Sequence, residues 1–187
     1  MSKEYRASVL GYSADEDMTL VGRPIVYDTP TQIREPDGSS YTEVIERGAL
    51  DDTDVSDSTL IYNHDQTRVP LARTPRTMTL ARDESGLSMV AKLAGDNQTA
   101  REVYSAVRRG DLSGMSFAFT VPDGGSHYDP ATNTRTITRI AKVYEVSVVP
   151  FPAYQSTSVE ARSAMLEARN AEQERKSLII KANQLQL

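Results

Sequence analysis

Three side chains in this chain have the types and placement that acyl-transfer chemistry would use. Ser116 lies in MSFAFTV (115–121), where Met115, Phe117, Phe119 and Val121 share one face of a strand and Ser116, Ala118 and Thr120 share the other. The large residues face a core on this pattern, and the serine stands among small neighbours that leave room for a ligand. His64 closes the strand-like LIYNH, flanked by Asn63 and Asp65. A serine hydroxyl needs a neighbouring base to act as a nucleophile at neutral pH, and histidine is the usual one. Glu145 sits inside the apolar VYEVSVV, where a carboxylate needs a partner to offset its desolvation. An imidazole N–H is one such partner. Each residue also has a plainer reading: Ser116 as a small residue packed beneath a covering helix, His64 as a surface residue of a polar turn, Glu145 as a sheet-face ion pair with Arg139 or Lys142. The second histidine, His127, lies in a loop dense in Gly, Pro, Asp and Asn (122–133) and is the weaker base.

The elements that must hold these residues are mostly short strands. Stretches 5–12, 18–27, 41–45, 59–64, 77–82, 86–93, 115–121 and 134–150 are rich in Val, Ile, Leu, Thr or Tyr, and most end in turn residues. The last is long enough to bend across a barrel. A helix is predicted over 99–110: Thr99 with Glu102 reads as a capping box, Ala100, Val103, Tyr104 and Val107 recur at helical spacing, and Gly110 is a C-terminal cap. A second helix is predicted from about Thr157 to the C-terminus, with Thr157 and Glu160 as its capping box. Many strands without crossover helices predict a largely antiparallel barrel or sandwich.

Composition narrows the function classes. The chain has 187 residues, a formal net charge of −5 and no cysteine. The acidic balance gives no electrostatic support for a nucleic-acid partner. Without cysteine there are no disulfides, zinc–thiolate sites or thiol nucleophiles. The N-terminus lacks a signal-peptide core, and no apolar run is long enough to span a membrane.

Taken together, these segments resemble the prohead protease family of tailed bacteriophages, the procapsid maturation serine proteases, which are distantly similar to herpesvirus assemblin. The resemblance covers about residues 5–160. YTEVIERGAL matches a segment ending in a Gly-Ala-Phe-like turn, with Leu50 in the Phe place. LIYNHDQTRVPLART matches the Asn-His-Asp segment, with Ala72 replacing a Gly. DESGL matches a turn, VRRGDLSGMSFAF matches the nucleophile segment, with Ala118 where the family often has Gly, and YEVSVVPFPAYQSTSV matches the Glu-Val-Ser segment.

The resemblance implies Ser116 as nucleophile, His64 as general base and Glu145 as the group that orients the histidine. It implies a mainly β, assemblin-like antiparallel β-barrel flanked by helices, with a protease domain over 1–160 and a helical or flexible extension over 161–187. The implied activity is a serine endopeptidase needing no metal or cofactor, working in the host cytoplasm inside the assembling procapsid. Its implied substrates and partners are the scaffolding protein, or the scaffold-like segment of the major capsid protein, and the protease itself. A relative of assemblin could form a homodimer, although no interface is legible. Two rivals remain at this point: a catalytically silent assembly or scaffold protein on the same fold, and a hydrolase of small esters.

Overall fold

The computed structural model describes residues 3–9, 13–14, 18–35 and 37–150. The expected C-terminal helix, its capping box at Thr157 and the extension over 161–187 lie outside the described residues, as does the segment from Phe151 onward.

The described residues are mainly β, with one helix. The strands run β1 Glu4–Val9, β2 Ser13–Ala14, β3 Thr19–Val26, β4 Thr31–Arg34, β5 Ser40–Ile45, β6 Thr59–Tyr62, β7 Ala72–Arg73, β8 Met78–Asp83 and β9 Gly86–Lys92; after helix α1 (Gln98–Arg109) come β10 Gly114–Thr120, β11 Ser126–Asp129, β12 Thr134–Ile137 and β13 Lys142–Val149. They form three sheets, ordered β1-β10-β13-β6-β7, β11-β12-β5-β4 and β2-β3-β9-β8. The pairings among the described residues do not close into a barrel. Most are antiparallel, but β12 lies parallel to β5 and β13 parallel to β6. These parallel partners are far apart in sequence, so the long excursions between them do the work of a crossover.

The stretch expected as one long strand over 134–150 is two. Residues 138–141 break it, and their backbone groups pair elsewhere: Thr138 and Arg139 N–H with the Gly125 carbonyl, Ile140 N–H with Ala49, Ala141 N–H with Thr120. β12 and β13 therefore belong to different sheets. The expected loop 122–133 contains β11, which forms a hairpin with β12.

Helix α1 buries Ala100, Val103, Tyr104 and Val107, the face its periodicity predicts. Its N-cap is Asn97, not Thr99: the Asn97 side chain accepts from Ala100 N–H at 2.9 Å. Asparagine is among the strongest caps, and moving the start back places Thr99 inside the first turn. Glu102 accepts instead from Gln98 Nε2. Gly110 ends the helix with φ 79, a left-handed conformation that glycine adopts without a Cβ penalty.

The first sheet positions the candidate residues. On one face Met115, Phe117 and Phe119 of β10 stand opposite Val148, Val146 and Val143 of β13, all of them core. On the other face Ser116 stands opposite Ser147, and Ala118 opposite Glu145. This arrangement needs a β-bulge. The register shifts between Ala118 and Phe119, so Tyr144 is left over on β13. Without that extra residue Val143 and Glu145 would share a face; with it, Val143 enters the core and Glu145 points away from it.

Candidate active site

His64 and Glu145 meet. The Nδ1 of His64 is hydrogen-bonded to Glu145 Oε1. A carboxylate only accepts, so Nδ1 carries the proton and Nε2 is left as the basic nitrogen. Glu145 is buried, with 4% of its side chain exposed, against 21% for His64. Burying a carboxylate is costly, and the imidazole is the partner that offsets it. The salt-bridge alternatives are filled elsewhere: Lys142 pairs with Asp54 at 2.8 Å and Arg139 donates to the Asp123 carbonyl.

The histidine is held by its backbone as well. Asn63 and His64 have φ 51 and 58, and Asp65 N–H donates to Tyr62 O at 3.0 Å. Two successive left-handed residues under an i to i+3 bond make a tight reversal at the end of β6, which costs conformational energy for non-glycine residues. The reversal swings the imidazole back over the sheet, against the edge of the Tyr5 ring, with centroids 5.0 Å apart at 85°. Tyr5 stands opposite Ala118 and so shares the face of Ser116 and Glu145. Burial, followed by the charge of Glu145, pushes the Tyr5 hydroxyl above its ordinary pKa, while a hydrogen bond with Gln66 works the other way.

Ser116 lies on the same face, next to this pair. Among the described residues its hydroxyl has one partner, donating to the main-chain carbonyl of Arg6 at 2.6 Å, and none at His64. It is 1% exposed. The expectation of an open face beside the serine is therefore corrected: β10 lies inside the sheet between β1 and β13, and all its residues, Gly114–Thr120, are buried, the small ones included. His127 lies exposed on β11, in a different sheet from His64.

Two participants were not singled out by sequence reasoning. The sequence marks Tyr5 only as the first residue of the strand expected over 5–12. Ser147 is fully buried beside His64 and Glu145, and its place two residues after Glu145 was the available signal. A cavity of about 300 Å³ opens beside Glu145, bounded by Thr59, Ile61, Gln66, Pro70 and Tyr144. Among the described residues no group of three or more His, Cys, Asp or Glu side chains could hold a metal ion.

A family model described as caudovirus prohead serine protease matches residues 4–172. The chain belongs to this family. It is also 26% identical over 106 residues to the prohead protease of Enterobacteria phage HK97, a match covering 57% of this chain and 45% of that protein. This chain thus spans less than half the length of that relative. No solved structure matches the chain. Ser116, His64 and Glu145 all fall within the matched residues.

Proposed function

We propose that this chain is a serine endopeptidase of procapsid maturation, with Ser116 as nucleophile, His64 as general base and Glu145 orienting the imidazole. The observation that carries the reading is the buried Glu145 carboxylate on His64 Nδ1, on the sheet face that also bears Ser116. Nε2 then takes the Ser116 proton as the oxygen attacks a peptide carbonyl. The imidazolium, stabilised by Glu145, returns that proton to the leaving amine, and water releases the acyl group by the reverse sequence. The Ser116 hydroxyl now points at Arg6 O, so rotation about its Cα–Cβ bond must precede attack.

The substrates on this reading are the scaffolding protein, or a scaffold-like segment of the major capsid protein, and the chain itself, cut inside the assembling procapsid. Residues 1–160 would form the protease domain and 161–187 an extension that self-cleavage could remove. Co-expression with the capsid protein tests the core of it. Processing should stop with Ser116→Ala and with His64→Ala; processing that continues in both variants sinks the reading. A catalytically silent assembly protein is the second reading, favoured by the burial of Ser116 and its bond to Arg6. That reading requires wild-type protein to leave capsid protein uncut.

A further inference from the structure

We propose that Ser147 is a positioning residue for the histidine–glutamate pair, an inference that rests on the catalytic reading of His64 above. Its hydroxyl makes three contacts at once. It accepts from the main-chain N–H of His64 at 3.3 Å, donates to Glu145 Oε1 at 3.1 Å, and lies 3.3 Å from His64 Nδ1. The side chain is fully buried, so no water stands in for these partners from bulk solvent.

The sequence places Ser147 for this task. It follows Glu145 by two residues on β13, so both project from one face. β13 runs parallel to β6 with Val148 beside Tyr62, which brings the end of β6 level with Ser147. The left-handed reversal is then tied to β13 at two successive points: Asn63 N–H on the Val148 carbonyl at 3.0 Å, and His64 N–H on the Ser147 hydroxyl. One tie is main chain to main chain and any residue at 148 provides it. The other needs a hydroxyl at 147.

The carboxylate depends on the same hydroxyl. Glu145 Oε2 is buried with no hydrogen-bond partner among the described residues. All its hydrogen bonds fall on Oε1, where the donors are His64 Nδ1 and Ser147 Oγ. A carboxylate held by one oxygen through one donor can swivel; a second donor at an angle to the first fixes its plane. Ser147 thus sets the direction in which Glu145 holds the ring, and so the direction of Nε2. The hydroxyl sits at Nδ1, whose proton is committed to Glu145, and not at the nitrogen free to receive a proton. That separates it from the nucleophile.

Ser147→Ala in the full chain tests this, with Ser147→Thr as the variant that keeps the hydroxyl. Losing a hydrogen bond to a charged group lowers kcat by about 10- to 100-fold, with KM changed less than about twofold because no substrate contact is removed. The downfield proton resonance of the His64 Nδ1–H should shift or broaden in Ser147→Ala and return toward wild type in Ser147→Thr. A serine-directed phosphonate should still label Ser116 in Ser147→Ala, more slowly. Wild-type kcat and an unchanged Nδ1–H resonance in Ser147→Ala, with Ser116→Ala inactive, would overturn the proposal while leaving the catalytic reading intact. Label found on Ser147 would overturn it too. Activity surviving in Ser116→Ala would instead remove the reading beneath it.

Discussion

Two polar clusters lie on opposite faces of the same sheet, and they are built to different standards. On the core face, Arg6 and Arg135 meet Glu4 and Glu43. Arg6 bonds Glu43 through two nitrogens and Glu4 at 2.9 Å; Arg135 bonds both oxygens of Glu4 and reaches Glu43 at 3.1 Å. Tyr41 and Ser126 stand at 3.4 Å on the rim, and the Arg6 guanidinium lies 5.6 Å from the Phe119 ring centre. Two cations face two anions, and each carboxylate oxygen has a donor. On the other face, Glu145 has one buried oxygen without a partner among the described residues, and its histidine is carried on two left-handed residues. A saturated buried network specifies a structure; an incomplete, strained one fits the proton-transfer role proposed for His64 and Glu145. The two are joined at Arg6, whose side chain belongs to the first cluster and whose carbonyl holds the Ser116 hydroxyl of the second.

The comparison predicts that the two faces fail differently. The largest effect belongs to the site. On the proposed catalytic reading, Glu145→Gln keeps the shape and removes the charge that stabilises the imidazolium, so peptide hydrolysis should fall by on the order of 10⁴-fold, as when the acid of a serine triad is lost. The melting temperature should stay within a few degrees of wild type. Unchanged hydrolysis in Glu145→Gln would mean the carboxylate orients nothing that reacts.

The core face should show the reverse. Arg6→Met leaves two buried carboxylates facing the single cation of Arg135 and takes the donor from Glu43 Oε1, so it should cost about 3–5 kcal/mol of stability through the buried charge left uncompensated. Chemical denaturation would measure it. Adding Glu43→Leu should recover part of that loss, a coupling expected for residues in contact. Strictly additive losses would show that the pair does not act as a unit.

Acid should separate the clusters again. Burial by itself would raise the Glu4 carboxyl, but the hydrogen bond from Arg135 and the charges of Arg6 and Arg135 outweigh it and hold the carboxyl below its ordinary value of 4.5. The folded state then binds fewer protons than the unfolded state just below that value. Stability is fully present above the unfolded pKa and lost as pH falls through the lower, folded one. Melting temperature should therefore decline on acidification below about pH 4.5, and Glu4→Gln should flatten that decline while lowering the plateau at neutral pH. An acid limb as steep in Glu4→Gln as in wild type would remove Glu4 from the account.

Alternation within MSFAFTV was enough to separate the phenylalanines from Ser116, and the periodicity of 99–110 was enough to find α1 and its buried face. The same alternation misleads in β13. Read with a strict period of two, Val143, Glu145 and Ser147 share one face, and only the bulge at Tyr144 divides them. A bulge is set by the register with β10, which no local pattern encodes. The split between β12 and β13 was hidden for a similar reason, since residues 138–141 are as strand-like as their neighbours and leave the ladder to pair with Gly125, Ala49 and Thr120. Nothing in the local sequence around Glu4, Arg6, Glu43 and Arg135 marks them as buried. Their burial depends on β1 and the β5–β12 pair packing face to face, a contact between segments far apart in sequence.

Tyr5 sits where the two faces can be told apart most finely, since its neighbours on β1 are Glu4 and Arg6 while its own ring lies against His64. Tyr5→Phe keeps the edge contact and gives up the hydroxyl with its link to Gln66. Both stability and hydrolysis should then change by less than about 1 kcal/mol, the net worth of one neutral hydrogen bond. Tyr5→Ala removes the ring as well, and an edge-to-face pair contributes about 0.5–1.5 kcal/mol beyond its buried area. If the ring serves to hold the imidazole in place, Tyr5→Ala should lower kcat severalfold while Tyr5→Phe does not. Equal losses in the two variants would instead point to the hydroxyl, and would move Tyr5 from a wall of the site to a member of its hydrogen-bond network.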